Sequence, residues 1–190
     1  MQTKRWSRID QLSFEGLLWA LPALGTLAMV VQVVGAVRGD EVEVSGPLPD
    51  ALLPDGVRGP LTGSVVLPDP TASQQVLSML PSFIGLAMVV VAAWLLLRVA
   101  RSARNGEPFT VANARRLTGL SILVMVGGMM LQVVDNWTRS DLLASVPAFD
   151  RDGMSFELSL WPLLVGFLVA FFAEVFRRGA ALREDVEGLV

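Results

Sequence analysis

Glu174 has the most conspicuous chemistry in this 190-residue chain, because it is a carboxylate near the end of an apolar segment. An ionisable side chain within a membrane-spanning helix is a functional hypothesis by default. Gly166 and Ala170 precede it at intervals of four residues, and such a small-residue stripe favours close helix packing that would turn Glu174 inward. A salt bridge to Arg178, four residues later, is the simplest interpretation. Proton or cation handling by Glu174 is the alternative.

Two glutamines and a run of acids are the other polar groups whose positions suggest a role. Gln32 and Gln132 each open a Gln-Val-Val triplet at the end of an apolar segment. We expect them to hydrogen-bond to each other, at about 0.6 kcal/mol for such bonds, with ligand binding as the alternative. Asp40, Glu41 and Glu43 could attract a divalent or peptide cation, although they lack calcium-loop spacing and are more simply solvated.

The residue types needed for common enzyme chemistry are missing. The chain has no Cys and no His, which excludes thiolate nucleophiles, imidazole bases and Cys/His metal sites. Lys4 is its single lysine, so neither a Ser–Lys pair in a site nor a phosphate-binding Gly-Lys loop is present. We therefore expect no enzyme activity, no metal and no cofactor.

The elements that must position these residues are membrane helices. Hydrophobic residues make up 53% of the chain and charged residues 17%, against about 25% in ordinary globular chains. Four apolar segments have the length of roughly 20 residues that crosses a bilayer, at about 16–37, 76–97, 117–134 and 158–176. The prediction is an all-α membrane protein: one domain, 1–190, forming a four-transmembrane-helix bundle.

The distribution of charge predicts the orientation. Positive residues are retained on the cytoplasmic side, and most of them lie in the N-terminus, in the loop 98–116 and after the last span: Lys4, Arg5, Arg8, Arg98, Arg101, Arg104, Arg115, Arg116, Arg177, Arg178 and Arg183. The loops 38–75 and 135–157 hold most of the acids. Both termini and the inner loop 98–116 are thus predicted to be cytoplasmic in a bacterial inner membrane, and the other two loops to lie outside.

Two further observations bear on the spans. Tryptophan side chains favour membrane interfaces, and the predicted topology places Trp6, Trp19 and Trp94 near the inner face and Trp137 and Trp161 near the outer face. A cleaved signal peptide is the alternative for the first segment. Its apolar run, however, exceeds the 7–15 residues usual for a signal peptide.

The outer loops carry a weak β signal. Val42 and Val44 alternate with Glu41 and Glu43, and the segments Gly63–Leu67 and Met154–Leu158 are two further candidate strands. A small extracytoplasmic β element is one interpretation of these segments. A flexible acidic loop is the other, and the pattern leaves both open.

The inner loop contains a strong turn signal, Asn105-Gly106-Glu107-Pro108-Phe109-Thr110 followed by Asn113-Ala114-Arg115-Arg116-Leu117. Pro108 disfavours helix at the preceding residue, so one helix should end at Asn105-Gly106. Thr110 is a favourable N-cap for the next helix, and Phe109 can pack against that helix's first turn. One helix face is predicted from Val111, Ala114, Leu117 and Thr118, while Arg115 and Arg116 point toward lipid phosphates or a partner.

This motif, with the C-terminal segment Leu182-Arg183-Glu184-Asp185 and the terminal Val190, resembles the bacterial membrane family called Domain of Unknown Function 2975. The resemblance covers the chain from about Leu77 onward. It implies four spans and no established activity. Because members are often encoded beside a small helix-turn-helix DNA-binding protein, it also implies such a transcription regulator as a partner, without direct binding of nucleic acid by this chain.

These observations favour a non-enzymatic membrane regulator or sensor that couples its outer loops to a cytoplasmic partner. A subunit of a transporter or channel, with oligomers supplying the pathway, is one alternative. A purely structural component of the lipid bilayer is the other.

Overall fold

A computed structural model describes residues 8–47, 62–146 and 157–187 of the chain. Five α-helices and one hairpin follow each other in these ranges: α1 (Arg8–Arg38), β1 (Val42–Pro47), β2 (Thr62–Leu67), α2 (Ala72–Arg104), α3 (Val111–Ile122), α4 (Gly128–Leu143) and α5 (Trp161–Glu187). A π-helical turn, Leu123–Gly127, joins α3 to α4 without a break.

Three helical stretches in the described residues are long and apolar enough to cross a membrane: Gly16–Arg38, Ala72–Arg104 and Val111–Leu143. They contain the first three predicted spans. Only 11% of the apolar window is buried in the first two stretches, and 17% in the third. Helices that are this apolar and this exposed are suited to lipid, because water would penalise the exposed surface.

α5 differs from the other three stretches. Its first eighteen residues, Trp161–Arg178, include Glu174, Arg177 and Arg178. The charge-free part from Trp161 to Ala173 is only about 20 Å long at 1.5 Å per residue, against about 30 Å of hydrocarbon. The fourth span predicted at 158–176 is therefore not confirmed by the length and composition of α5.

The described chain groups into two compact units. The first consists of the described parts of Met1–Leu27, Leu86–Met129 and Leu160–Val190, and the second of the described parts of Ala28–Gly85 and Met130–Ser159. In the first unit α3 packs along α5, with small and aliphatic side chains buried between elements: Ala114, Leu117, Leu120, Ala173 and Ala180.

In that first unit α5 contacts both α3 and the π-helical turn at Gly166. A Cβ atom on Gly166 would overlap the side chain of Met125 in the π-helical turn. The Ser121 hydroxyl, only 4% exposed, donates to the Gly166 carbonyl oxygen at 2.9 Å. Close packing at Gly166 is thus confirmed. The buried stripe of α5, however, is Gly166, Ala173 and Ala180 at intervals of seven residues, whereas Glu174 is half-buried.

In the second unit β1 and β2 form an antiparallel hairpin, with Val42 opposite Leu67 and Val44 opposite Val65. Val44 and Leu67 are buried against Leu142 and Leu143 at the end of α4. Two of the three predicted strands are thus confirmed. Their alternate apolar residues form strands here because they pack against the end of α4. Of the third, residues 154–156 lie outside the described ranges, and Glu157 and Leu158 belong to no strand.

Candidate functional site

The turn between α2 and α3 begins with a tight helix end. Gly106 has a φ of +83°; its N–H donates to the Ala103 carbonyl at 3.2 Å, and the Glu107 N–H donates to the Ser102 carbonyl at 3.2 Å. This is the Schellman pattern, in which a left-handed glycine satisfies the last carbonyls of a helix. The Ser102 hydroxyl closes the turn by donating to the Glu107 carbonyl at 2.8 Å. The predicted end of the helix at Asn105-Gly106 is confirmed.

Thr110 starts α3 as predicted. Its backbone is extended, with φ −123° and ψ 151°, and its side-chain oxygen accepts from the N–H of Asn113 at 3.2 Å. An N-cap bond of this kind stabilises a helix by about 1 kcal/mol. The chain therefore turns back within six residues of the end of α2.

Asn113 is the polar centre of this turn and has no exposed surface. Its Nδ2 donates to the Pro108 carbonyl at 2.9 Å and, more weakly, to the Glu107 carbonyl at 3.5 Å. Its Oδ1 accepts from Nη1 of Arg116 at 2.7 Å. A buried carboxamide with partners on both ends holds the turn in one conformation, because any alternative would leave those groups unpaired.

Arg116 does not point outward as predicted. Its Nη1 atom also donates to the backbone carbonyl of Arg98 at 3.2 Å, so the guanidinium joins α3 to the last turns of α2. Arg115 is exposed. We call Ser102, Glu107, Phe109, Asn113 and Arg116 the turn cluster.

The buried face of α3 also differs from the prediction. Ala114 and Leu117 are buried as expected, but Val111 and Thr118 are exposed. The buried positions of α3 are Asn113, Ala114, Leu117, Leu120 and Ser121. Polar Asn113 and Ser121 are thus buried, whereas Val111 and Thr118 of the predicted face are not.

Phe109 contacts α5 rather than only its own helix. Its ring centroid lies 5.2 Å from that of Phe176 at an interplanar angle of 50°. A Cβ atom on Gly179 would come within 2.6 Å of the Phe109 ring, so the ring lies directly over the α5 backbone. The sequence predicts packing of Phe109 only on the first turn of α3. The contact with Phe176 could not be predicted in the same way, because it depends on a helix about 70 residues later in the chain.

Four charged residues of α5, Glu174, Arg177, Arg178 and Arg183, form ion pairs. Glu174 accepts from Arg178 at 2.8 Å, as predicted, and from Arg177 at 2.7 Å. Its hydrogen bond raises the pKa of the Arg177 guanidinium, which is exposed and stays charged. Further along α5, Arg183 lies 3.8 Å from the Glu107 carboxylate, with both side chains largely exposed.

The rest of the predicted tail motif is not buried. Leu182 is 67% exposed, and Glu184 and Asp185 are exposed beside it. Val190 lies outside the described residues. α5 thus presents an exposed mixed surface after its contact with the turn cluster.

In the second unit, two amides on α4 hold the non-helical segment 157–159. Gln132 donates to the Ser159 carbonyl at 3.0 Å and accepts from the Ser159 N–H at 2.6 Å. Asn136, one turn later, donates to the Glu157 carbonyl at 2.8 Å and accepts from its N–H at 3.2 Å. We call Gln132, Asn136, Glu157 and Ser159 the amide clamp.

The predicted hydrogen bond between Gln32 and Gln132 is therefore wrong. The backbone of Ser159 offers Gln132 an N–H and a carbonyl together, which a side-chain amide matches at both ends. Gln32, which makes no hydrogen bond in the described part of the chain, instead lines a cavity of about 300 Å³ with Asp40, Glu41, Glu43, Gln75 and Ser78. Within the described ranges, no group of three His, Cys, Asp or Glu is placed to hold a metal ion.

Apolar helices that leave most of their surface exposed define a multi-pass membrane protein. The chain belongs to the family described as "Protein of unknown function (DUF2975)", whose model matches residues 64–190. The match begins within β2 and includes the turn cluster, the amide clamp and α5, so the resemblance drawn from the inner-loop and tail motifs is confirmed. No curated protein and no solved structure matches the chain.

Proposed function

We propose that the protein crosses the bacterial inner membrane four times, with both termini in the cytoplasm and α5 as the fourth span. The arginine distribution supports this orientation. The exposure of Trp19, Trp94, Trp137 and Trp161, at 49%, 47%, 57% and 71%, supports the spans themselves, because interfacial rings face lipid and not the protein interior.

The amide clamp supports a fourth span that is only partly helical. Residues 158–160 add up to about 10 Å to the charge-free 20 Å of α5, which together match the hydrocarbon thickness. A non-helical backbone at that depth needs partners for its N–H and carbonyl groups. Gln132 supplies both for Ser159.

The topology can be tested by cysteine labelling, since the chain has no Cys of its own. In intact cells a membrane-impermeant maleimide should label Glu41→Cys at once, and Leu182→Cys only after the membrane is permeabilised. Labelling of Leu182→Cys in intact cells would place α5 outside and reject the fourth span.

On this topology we propose a non-enzymatic regulator that holds a cytoplasmic protein on the exposed end of α5 and the turn cluster. The observation that carries the proposal is how the end of α5 is attached. The aromatic contact of Phe109 with Phe176 and the exposed ion pair of Glu107 with Arg183 are among the contacts that join it to the turn. Exposed ion pairs contribute only about 0–1 kcal/mol, so a partner could displace Arg183 from Glu107 at small cost.

Capture of cytosolic proteins by the full chain in detergent tests this role. We expect a specific protein, a small helix-turn-helix regulator by family resemblance, to be retained by the wild type and lost with Leu182→Asp. Val66→Asp is the matched control, because Val66 is also an exposed apolar residue, on the hairpin, at 47% exposure. If the wild type retains nothing beyond the control resin, the regulator proposal fails.

A transporter or channel subunit is the second candidate, and the cavity beside Gln32 is the observation in its favour. The pairing of Glu174 with Arg177 and Arg178 speaks against Glu174 as a proton or cation carrier. Flux through reconstituted protein that disappears in Glu174→Gln would favour transport over regulation.

A further inference from the structure

Arg98 and Arg116 mark the same boundary on two neighbouring helices. Arg98 is the first charged residue of α2, after an uncharged run that begins at Ala72. Arg116 is the last charged residue of α3 before an uncharged run that continues to Asp135. The hydrogen bond from Arg116 to the Arg98 carbonyl places both at one level. The level at which charge begins on both helices is where the hydrocarbon ends.

The side chain of Arg98 lies over an aromatic ring one turn earlier. Its guanidinium carbon is 4.3 Å from the centroid of the Trp94 ring, and that ring is 47% exposed. Tryptophan side chains favour the membrane interface. A guanidinium group that stacks on the face of a tryptophan ring still presents its N–H donors at the edge of the guanidinium plane. Those donors therefore lie at the depth of lipid headgroups.

The positive charge at this level has no carboxylate partner within the described chain. Glu107 is paired with Arg183, and Glu174 is paired with Arg177 and Arg178. Arg98, Arg115 and Arg116 form no ion pair with any described residue. Three uncompensated guanidinium groups at a membrane boundary favour an anion from outside the chain.

We propose that Arg98 and Arg115 bind the phosphodiester of an anionic phospholipid in the cytoplasmic leaflet, with Trp94 against the glycerol and upper acyl chain. Guanidinium groups match phosphate oxygens by two parallel hydrogen bonds. Arg116 has a positioning role: its bonds to Asn113 and to the Arg98 carbonyl hold the two helices together. The proposal depends on the four-span orientation only for the leaflet.

Lipid retention by the full chain tests the site. Native mass spectrometry from nanodiscs made of phosphatidylglycerol and phosphatidylethanolamine should show phosphatidylglycerol retained on the wild type. Because both leaflets have the same composition, the result does not depend on orientation. The double variant Arg98→Gln, Arg115→Gln should weaken lipid retention about 30-fold, because each arginine near a membrane surface contributes about five-fold in affinity.

Two controls separate this site from general charge. Arg178→Gln also removes one positive charge, but from an arginine that is paired with Glu174. Glu174 remains paired with Arg177 in this variant, so lipid retention should be unchanged. Arg115→Gln alone, at an exposed position outside the turn's hydrogen bonds, should lower retention about five-fold even if the double variant does not fold.

The outcomes decide between lipid and a soluble anion. Equal retention by the wild type and by Arg115→Gln, or an equal loss in Arg178→Gln, would overturn the proposal. So would stabilisation of the detergent-solubilised protein by millimolar inorganic phosphate to the same Tm as by phosphatidylglycerol, since the site would then take free phosphate. A Tm raised by phosphatidylglycerol, but not by phosphate or phosphatidylcholine, supports it.

Discussion

The carboxamide of Asn113 donates to the carbonyl oxygen of Pro108 at 2.9 Å while Asn113 itself has no exposed surface. This bond closes the turn between α2 and α3 from within, and the Oδ1 atom of the same carboxamide accepts from Arg116. Most buried polar side chains stabilise only when every donor and acceptor is paired. The geometry of the α2–α3 turn therefore depends on the Asn113 side chain as well as on Gly106 and Thr110.

Asn113→Ala should lower the free energy of unfolding by about 1–3 kcal/mol, because it leaves the Pro108 carbonyl and the Arg116 guanidinium with fewer partners. Thermal unfolding in detergent would measure this loss. Asn105→Ala, at an exposed asparagine of the same turn, is the control and should change stability little. Equal losses in both variants would show that the Asn113 hydrogen bonds add nothing specific.

Gly166→Ala should destabilise the packing of α5 against the π-helical turn by about 1–3 kcal/mol, since the new methyl overlaps the Met125 side chain. Met125→Ala in the same chain should restore part of the loss, which a double-mutant cycle would measure. Gly119→Ala is the control: its Cβ meets nothing within 4 Å, so it should be neutral or stabilising. Failure of Met125→Ala to compensate would contradict the proposed contact.

Gln132→Ala should destabilise the protein by about 1–3 kcal/mol, because the N–H and the carbonyl of Ser159 both lose their side-chain partner. Gln32→Ala is a control with the same residue type and the same following Val-Val. It should change stability by no more than about 0.5 kcal/mol, since Gln32 is exposed. A larger effect at Gln32 than at Gln132 would reverse the assignment of structural roles.

Phe109→Ala should release the end of α5 without unfolding the protein. An aromatic pair contributes about 0.5–1.5 kcal/mol beyond its buried area, and Phe109 also covers Gly179. Amide hydrogen exchange should accelerate at residues 177–185 and stay unchanged in α1. Phe167→Ala, at a ring that is 62% exposed, should leave the exchange of residues 177–185 as it is.

Local signals in the sequence predict much of this structure. Pro108, Gly106 and Thr110 act on their immediate neighbours through backbone geometry and a short hydrogen bond, so the end of α2 and the start of α3 could be predicted from the chain alone. The apolar runs within α1, α2 and α3–α4 are equally local. Length and composition are sufficient to identify them.

The contacts that sequence reasoning missed join residues far apart in the chain. The inward turn of Arg116 needs the Arg98 carbonyl of another helix, and the Gln132 amide needs the backbone of Ser159. The spacing of apolar residues does not indicate which backbone carbonyl of a distant segment is available to accept a hydrogen bond. The buried stripe of α5 is Gly166, Ala173 and Ala180, a repeat of seven residues that the sequence contains beside the repeat of four residues through Glu174.

The π-helical turn Leu123–Gly127 has a consequence for insertions and deletions in this chain. Such a turn is an α-helix with one extra residue accommodated in it. Deleting one residue there would restore ordinary helical winding and leave the side chains of α4 pointing in nearly the same directions, because the wider turn already offsets the rotation of the extra residue. Gln132 and Asn136 would be among them. Related chains that are shorter by one residue at this point should therefore keep the residues that contact the segment before α5.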